Sequence, residues 1–262
     1  MKLLKVLIKN HKMLFNLIKS DFKNRYLGNH LGIMWAFIQP CVMVAVYWFV
    51  FTRGFRAGSV SNVPFLLWLL AGMVPWFLTN DAIMSASNAI VSQGFLVKKI
   101  LFEVKLLPFV KIGSAILANL AFWFFLLIVC FVYGYHPNWW WLQLAYYMLC
   151  VIAISMSFGL LFSAITPFMP DISQIINLIF QVLFWATPVM WDKNILNGKL
   201  VYLIKLNPFA YIVDGFRDTL INQQPFWHHY SMTIYFWLLN FIVYWLANRI
   251  FNNLRPHFAD VL

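Results

Sequence analysis

The sequence is poor in acid. Eight of its 262 residues are Asp or Glu, against nineteen Lys or Arg. A membrane transferase or phosphotransferase needs clustered carboxylates for metal or base chemistry. Here Asp21, Asp81, Glu103, Asp171, Asp192 and Asp260 are dispersed, and only Asp214 and Asp218 lie close together. Arg217 sits between them, so they read as an ion cluster on a helix surface. There is no GxxxxGK[ST] loop, so the chain cannot cradle nucleotide phosphates by itself. HExxH and CxxC patterns are absent as well, and His228 and His229, being adjacent, point to different sides of a helix. No catalytic residue and no metal site is therefore expected. The three cysteines, Cys41, Cys130 and Cys150, fall inside apolar runs without ligand spacing and are expected to be free thiols. Charged residues make up only 10%, against about 25% in soluble domains. A soluble globular protein is excluded.

What is abundant is apolar and aromatic. Apolar residues reach 63% and mean hydropathy is +0.75. Six runs are each long enough to span a bilayer at about 20 residues: Leu31–Thr52, Pro64–Ile83, Ile112–Tyr133, Trp139–Thr166, Ile172–Trp191 and Tyr230–Ala247. The expected fold is all-α, a polytopic membrane protein with six transmembrane helices in a single domain over 1–262. The net charge of +11 does not call for a nucleic-acid partner, because the cations cluster beside apolar runs. Placing the amino terminus inside puts thirteen cations, Lys2 through Arg25, Lys98, Lys99, Lys105, Lys111, Arg249 and Arg255, on the inner side. Both termini are then expected to be cytoplasmic.

Two basic stretches stand apart from the spans. Residues 1–29 carry Leu4, Leu7, Ile8, Leu14, Phe15, Ile18 and Phe22 on one helical face and lysines on another. A lysine interrupts the run every few residues, which excludes a signal peptide and predicts an amphipathic helix lying in the membrane interface. Gly28 and Gly32 mark the turn into the first span. Residues 94–108, GFLVKKILFEVKLLP, place Leu96, Ile100, Val104 and Leu107 on one face, with Lys98 and Lys105 opposite. Lys99 and Glu103 are spaced to pair, and Gly94 and Pro108 punctuate the ends. Two readings fit: a helix presented to a partner protein at the cytoplasmic surface, or a basic connecting loop drawn to anionic lipid.

Asp81, near the inner end of the second run, is the one charge within a span. Its neighbours from Thr79 to Asn88 are small or polar, so this helix end is expected to face protein or water rather than lipid. No charged relay crosses the bundle, so the energy for any transport must come from a separate subunit. Aromatics are 19% of the chain. Tyr47, Trp48 and Phe51 cluster in the first run, Phe180, Phe184 and Trp185 in the fifth. Most such rings pack or face lipid. A subset lining a conduit would suit a glycan, whose sugar CH faces stack on aromatic rings.

At this point a resemblance enters. The stretches DFKNRYLGNHLGIMWAFIQP at 21–40, AGMVPWF at 71–77, LVKKILFEVKLLP at 96–108, ATPVMW at 186–191, LNPFAYIVDGFRD at 206–218 and FNNLRPHFADVL at 251–262 occur in an order and spacing that resembles the transmembrane subunit of ABC-2-type exporters of cell-surface polysaccharides, the O-antigen, teichoic acid and capsule permeases. The resemblance implies a homodimer in the cytoplasmic membrane joined to two cytoplasmic ATP-binding subunits, with ATP and Mg bound by those partners and no cofactor in this chain. It implies that the stretch 94–108 is a coupling helix, with Leu96, Lys98, Lys99, Phe102 and Glu103 meeting the ATPase. It implies short re-entrant gate helices on the outer side within 192–227, carrying Asn207, Pro208, Phe209, Tyr211, Arg217 and Asp218. The implied substrate is a polymer on a polyprenyl diphosphate lipid. Its head group would be recruited by Lys23, Arg25 and Tyr26, and its glycan would pass Tyr47, Trp48, Phe51, Phe180, Phe184 and Trp185. A membrane enzyme acting on polyprenyl-linked glycans, or an exporter of a small lipid or drug, remains an alternative.

Overall fold

The computed structural model describes residues 11–26, 32–54, 56, 59–60, 63–98, 103–195 and 204–262. The described chain is helical, with no strand beyond one isolated bridge between Val60 and Val63. In chain order the helices are α1 (His11–Tyr26), α2 (Met34–Phe49), α3 (Phe65–Ser87), α4 (Ala89–Ser92), α5 (Gly94–Val97), α6 (Leu106–Val132), α7 (Gln143–Ile165), α8 (Ile172–Ala186), α9 (Pro208–Arg217), α10 (Tyr230–Leu254) and α11 (Phe258–Val261).

The protein is a polytopic all-α membrane protein. Among the described residues, five helical stretches are long and apolar enough to cross a membrane: Met34–Gly54, Phe65–Ser87, Leu106–Val132, Trp139–Ile165 and Phe226–Val261. The expected fifth span is shorter than its apolar run. Helix α8 has 15 residues, about 22 Å against a hydrocarbon core of about 30 Å. Its run continues to Trp191, but Pro188 disfavours helical backbone at the residue before it. Thr187 is accordingly extended, at φ −90° and ψ 138°.

Helix α3 is the axis of the bundle. It packs against α6, α7 and α9, while α10 packs on α7. Leu67, Leu69, Leu70, Met73 and Leu78 in α3 are enclosed, and from Phe65 to Leu78 this helix is apolar all round, as a central helix must be. Pro75 removes one backbone donor from its interior. The Thr79 hydroxyl donates to the Pro75 carbonyl at 2.7 Å. Helix α2 is peripheral, with Val44 its one buried residue. The chain enters it through Gly32 at φ +49°, a backbone state that glycine adopts without a Cβ clash.

The amphipathic expectation for α1 holds in part. Leu14, Leu17 and Ile18 pack on Leu106 and Val110 of α6, and Lys111 Nζ bonds Asp21 Oδ1 at 2.7 Å. Phe15, expected on the same face, is instead exposed. Phe22 is half-buried, its ring 5.5 Å from that of Tyr26, and the other apolar positions of that face, Leu4, Leu7 and Ile8, lie outside the described residues. All three cysteines are free, with Cys130 and Cys150 buried.

Candidate functional site: two cavities, a bundle-capping helix and a basic loop

Arg25, at the end of α1, forms an ion pair with Asp81 of α3. Arg25 Nη1 donates to Asp81 Oδ2 at 3.1 Å, and Nη2 reaches Asp81 Oδ1. Asp81 also accepts from Asn119 Nδ2 of α6 at 2.9 Å and from Ser85 Oγ at 3.2 Å. The acid expected to face protein or water thus has a cation and an amide around it. Burial works against the Arg25 charge, but the Asp81 carboxylate outweighs it and raises the pKa above the ordinary arginine value.

The pair stands between two cavities. One, of about 740 Å³, is lined by Arg25, Tyr26, Trp35, Gln39, Asp81 and Asn119 among others. The second, of about 530 Å³, shares Arg25 and Asp81 and adds Asn24, Ser85, Asn88 and Lys111. Asn80 Oδ1, which is buried without a hydrogen-bond partner, belongs to a residue that lines the first cavity. Donors, acceptors and one guanidinium beside Trp35 and Tyr26 can hold a polar head group, but they supply no nucleophile with a base. Of the three residues assigned to head-group recruitment, Arg25 and Tyr26 line this space. Lys23 is exposed on α1 and outside the lining.

Helix α9 begins at Asn207–Pro208, two of the residues assigned to the gate. Asn207 caps it, its Oδ1 accepting from Phe209 N at 3.0 Å, and Pro208 occupies the first turn, where a missing N–H costs nothing. Every residue from Phe209 to Leu220 is buried. Phe209 lies against Trp76 and Phe180. Tyr211 bonds the hydroxyls of Tyr146 and Thr233, each at 2.9 Å. Gly215 meets the ring of Tyr147, and a Cβ there would overlap it.

The ion cluster expected on a helix surface is a correction. Arg217 is buried and bonds backbone, not Asp214 or Asp218. Its donors reach Pro188 O at 2.5 Å, Val189 O at 2.7 Å and Trp68 O at 3.4 Å. The guanidinium lies 3.6 Å from the Trp68 ring centroid, a cation–π geometry. Gly72 leaves the room, since a Cβ there would stand 2.5 Å from Arg217 Nη2. Asp214 pairs with Lys193 at 2.8 Å, and Asp218 accepts from Asn222 at 2.9 Å and faces His229 Nε2 at 3.5 Å.

The loop at 94–108 is not one continuous helix. Helix α5 ends at Val97, the backbone turns at Lys98, Val104 and Lys105, and α6 begins at Leu106. Pro108 does not close the stretch; it lies in the first turn of α6, where proline is tolerated. Lys98 is exposed. Leu96 is described only as part of the α5 backbone, and Lys99 and Phe102 lie outside the described residues. Glu103, expected to pair with Lys99, bonds Arg255 Nη1 at 3.1 Å. Burial lowers the pKa of neighbouring Lys105, partly offset by Glu103, and Arg255 lowers it further.

The six aromatics divide. Phe184 lies 6.1 Å from Tyr47, 5.7 Å from Trp76 and 6.4 Å from Phe77. Phe180 is buried against Trp76 and Phe209. Phe51 stacks on Phe65 at 5.7 Å. Trp48 and Trp185 alone among the six are exposed.

A family profile described as ABC-2 type transporter matches residues 13–221. The chain belongs to this family. An ABC-2 type chain is a transporter permease. Similar proteins include an O-antigen export system permease protein RfbA of Klebsiella pneumoniae, 24% identical and covering 95% of each chain. Another RfbA, from Myxococcus xanthus, is 23% identical over 99% of this chain and 98% of its own. The polysialic acid transport protein KpsM of Escherichia coli is 20% identical over 78% of this chain and 80% of its own.

The residues of these contacts that sequence reasoning did not assign to a site are Trp68, Asn119, Lys193 and Arg255. A lone acid in an apolar helix signals that a partner exists, but Arg25 is 56 positions from Asp81 and nothing in the spacing selects it.

Proposed function

We propose that this chain is the membrane-spanning subunit of an ATP-driven exporter that moves a lipid-linked cell-surface polysaccharide across the cytoplasmic membrane. The observation that carries the reading is similarity along nearly the whole length to O-antigen export permeases. Two copies of the chain join two cytoplasmic ATP-binding subunits, which bind ATP and Mg. Both termini are cytoplasmic, by the excess of Lys and Arg on that side. A polyprenyl diphosphate head group enters beside Arg25 and Tyr26, and ATP-driven closure of the partner acts on the loop 94–108. The polymer passes between the first and fifth spans of the two copies. Their apolar faces support this, since Val42, Val46, Ile175, Leu178 and Val182 are exposed in the single chain. Helix α9 closes the outer end between cycles.

The test is reconstitution with the ATP-binding subunit. ATP hydrolysis should rise with a lipid-linked glycan and not with a small amphiphile. Lys98→Glu with Lys99→Glu should abolish export while leaving the subunit in the membrane, because inverted anchors cost an interface several kcal/mol. Turnover of the lipid by this chain alone would make it an enzyme, and stimulation by small amphiphiles alone would make it a different kind of exporter.

A further inference from the structure

The family profile ends at residue 221 and assigns nothing to Arg255–Leu262. That segment is a 3-10 turn over Arg255–His257 followed by α11. Four residues cannot hold a helix by their own hydrogen bonds, so burial must hold this one. Phe258 is wholly buried, edge-on to Phe251 at 5.3 Å and 6.0 Å from Phe168. It joins an apolar cluster with Ile90 and Val97 on one side of the basic loop and with Val104 and Leu107 on the other. Polar contacts run the same way. Arg255 holds Glu103, and Lys105 Nζ bonds Asn248 Oδ1 of α10 at 2.8 Å. A Cβ on Gly94 would stand 3.8 Å from Leu262 Cβ.

We infer that Arg255–Leu262 is a brace that fixes both roots of the loop 94–108, with Phe258 as the positioning residue that makes a push on that loop move α6 and α10 together. The inference rests on the reading of 94–108 as the segment that meets the ATP-binding subunit. A lever transmits displacement only if its root does not yield. The loop leaves α5 and enters α6 through turns, and Phe258 is the buried ring that joins its two roots, where Arg255–Glu103 and Lys105–Asn248 tie only the α6 side.

The experiment uses the assembled complex with Cys41, Cys130 and Cys150 changed to Ser. Gly94→Cys with Leu262→Cys should oxidise to an intrachain disulfide, because a Cβ separation near 3.8 Å is the ordinary one. That disulfide should leave export intact. Phe258→Ala should lower polymer exported per ATP hydrolysed by roughly five- to thirtyfold, the effect of one or two kcal/mol. Phe258→Leu should stay within about twofold, since it keeps an apolar plug. The oxidised cysteine pair should restore the Phe258→Ala ratio, and reductant should abolish the rescue. No disulfide, inhibition of the parent by the disulfide, a normal ratio in Phe258→Ala, or a defect that the disulfide does not rescue would each overturn the brace. If Lys98→Glu with Lys99→Glu exports normally, the coupling reading fails instead, whatever Phe258 does.

Discussion

Arg25 at the end of α1 and Asp81 in α3 stand 56 positions apart and meet in a two-pronged ion pair between two cavities. The pair is the polar tie between the amphipathic helix and the central helix of the bundle. Its side chains are 32% and 25% exposed, so water and salt reach it and its strength should be modest. A double-mutant cycle with Arg25→Ala and Asp81→Ala should give a coupling of about 1 kcal/mol, shrinking at high salt. A coupling that is zero at low ionic strength would show that the tie contributes nothing to stability.

The same arginine should matter for export more than its neighbour. Arg25→Ala should reduce surface polysaccharide strongly, and Lys23→Ala should not, because only Arg25 lines the cavities. Quantifying exported polymer at matched subunit level checks this. Equal loss in both variants would point to the general positive charge of α1 instead.

Arg217 and Trp68 should be coupled more tightly. Lysine at 217 cannot stack flat on the ring and fork to three carbonyls at once. Arg217→Lys should therefore lower the thermal midpoint in detergent by several degrees, at about 2–4 °C per kcal/mol for a chain of this size. In a Trp68→Leu background the added loss should be smaller, because the stacking is already gone. Full additivity would mean that the carbonyl bonds alone hold the guanidinium.

The aromatic rings should separate into two classes. Phe180 is buried, so Phe180→Ala should destabilise by about 3–5 kcal/mol. Trp48 and Trp185 are exposed in the single chain, so Trp48→Ala and Trp185→Ala should change monomer stability little. They should slow export of long polymers more than short ones. Normal export by both would place those rings against lipid.

The gate assignment fixes a topology. Asn222→Cys, in the background without native cysteines, should react with an impermeant maleimide added outside intact cells or spheroplasts. Asn222 is exposed just beyond α9. Labelling only after permeabilisation would put α9 on the cytoplasmic side.

Which of these features were legible in the sequence follows from their range. The start of α9 was readable because an Asn–Pro pair carries its own chemistry, a capping oxygen and a fixed φ. Asp81 was readable as a charge in need of company, though not which company. Arg217 misled because Asp214 and Asp218 lie at helical spacing around it, and spacing cannot show that free carbonyls lie nearer. The Arg255 partner of Glu103 was not legible, because nothing in the spacing selects a cation from the far end of the chain. The fifth run reads as a full span because hydropathy counts Thr187 to Trp191 as apolar, whereas Pro188 decides the backbone.

That early end of α8 has a cost that something must meet. Backbone that leaves the helix at membrane depth exposes carbonyls with no water to solvate them, each a loss of several kcal/mol. The carbonyls of Pro188 and Val189 are the two that Arg217 takes at 2.5 and 2.7 Å. A single cation, 28 positions beyond Val189, thus stands in for solvent at the carbonyls where the chain leaves α8.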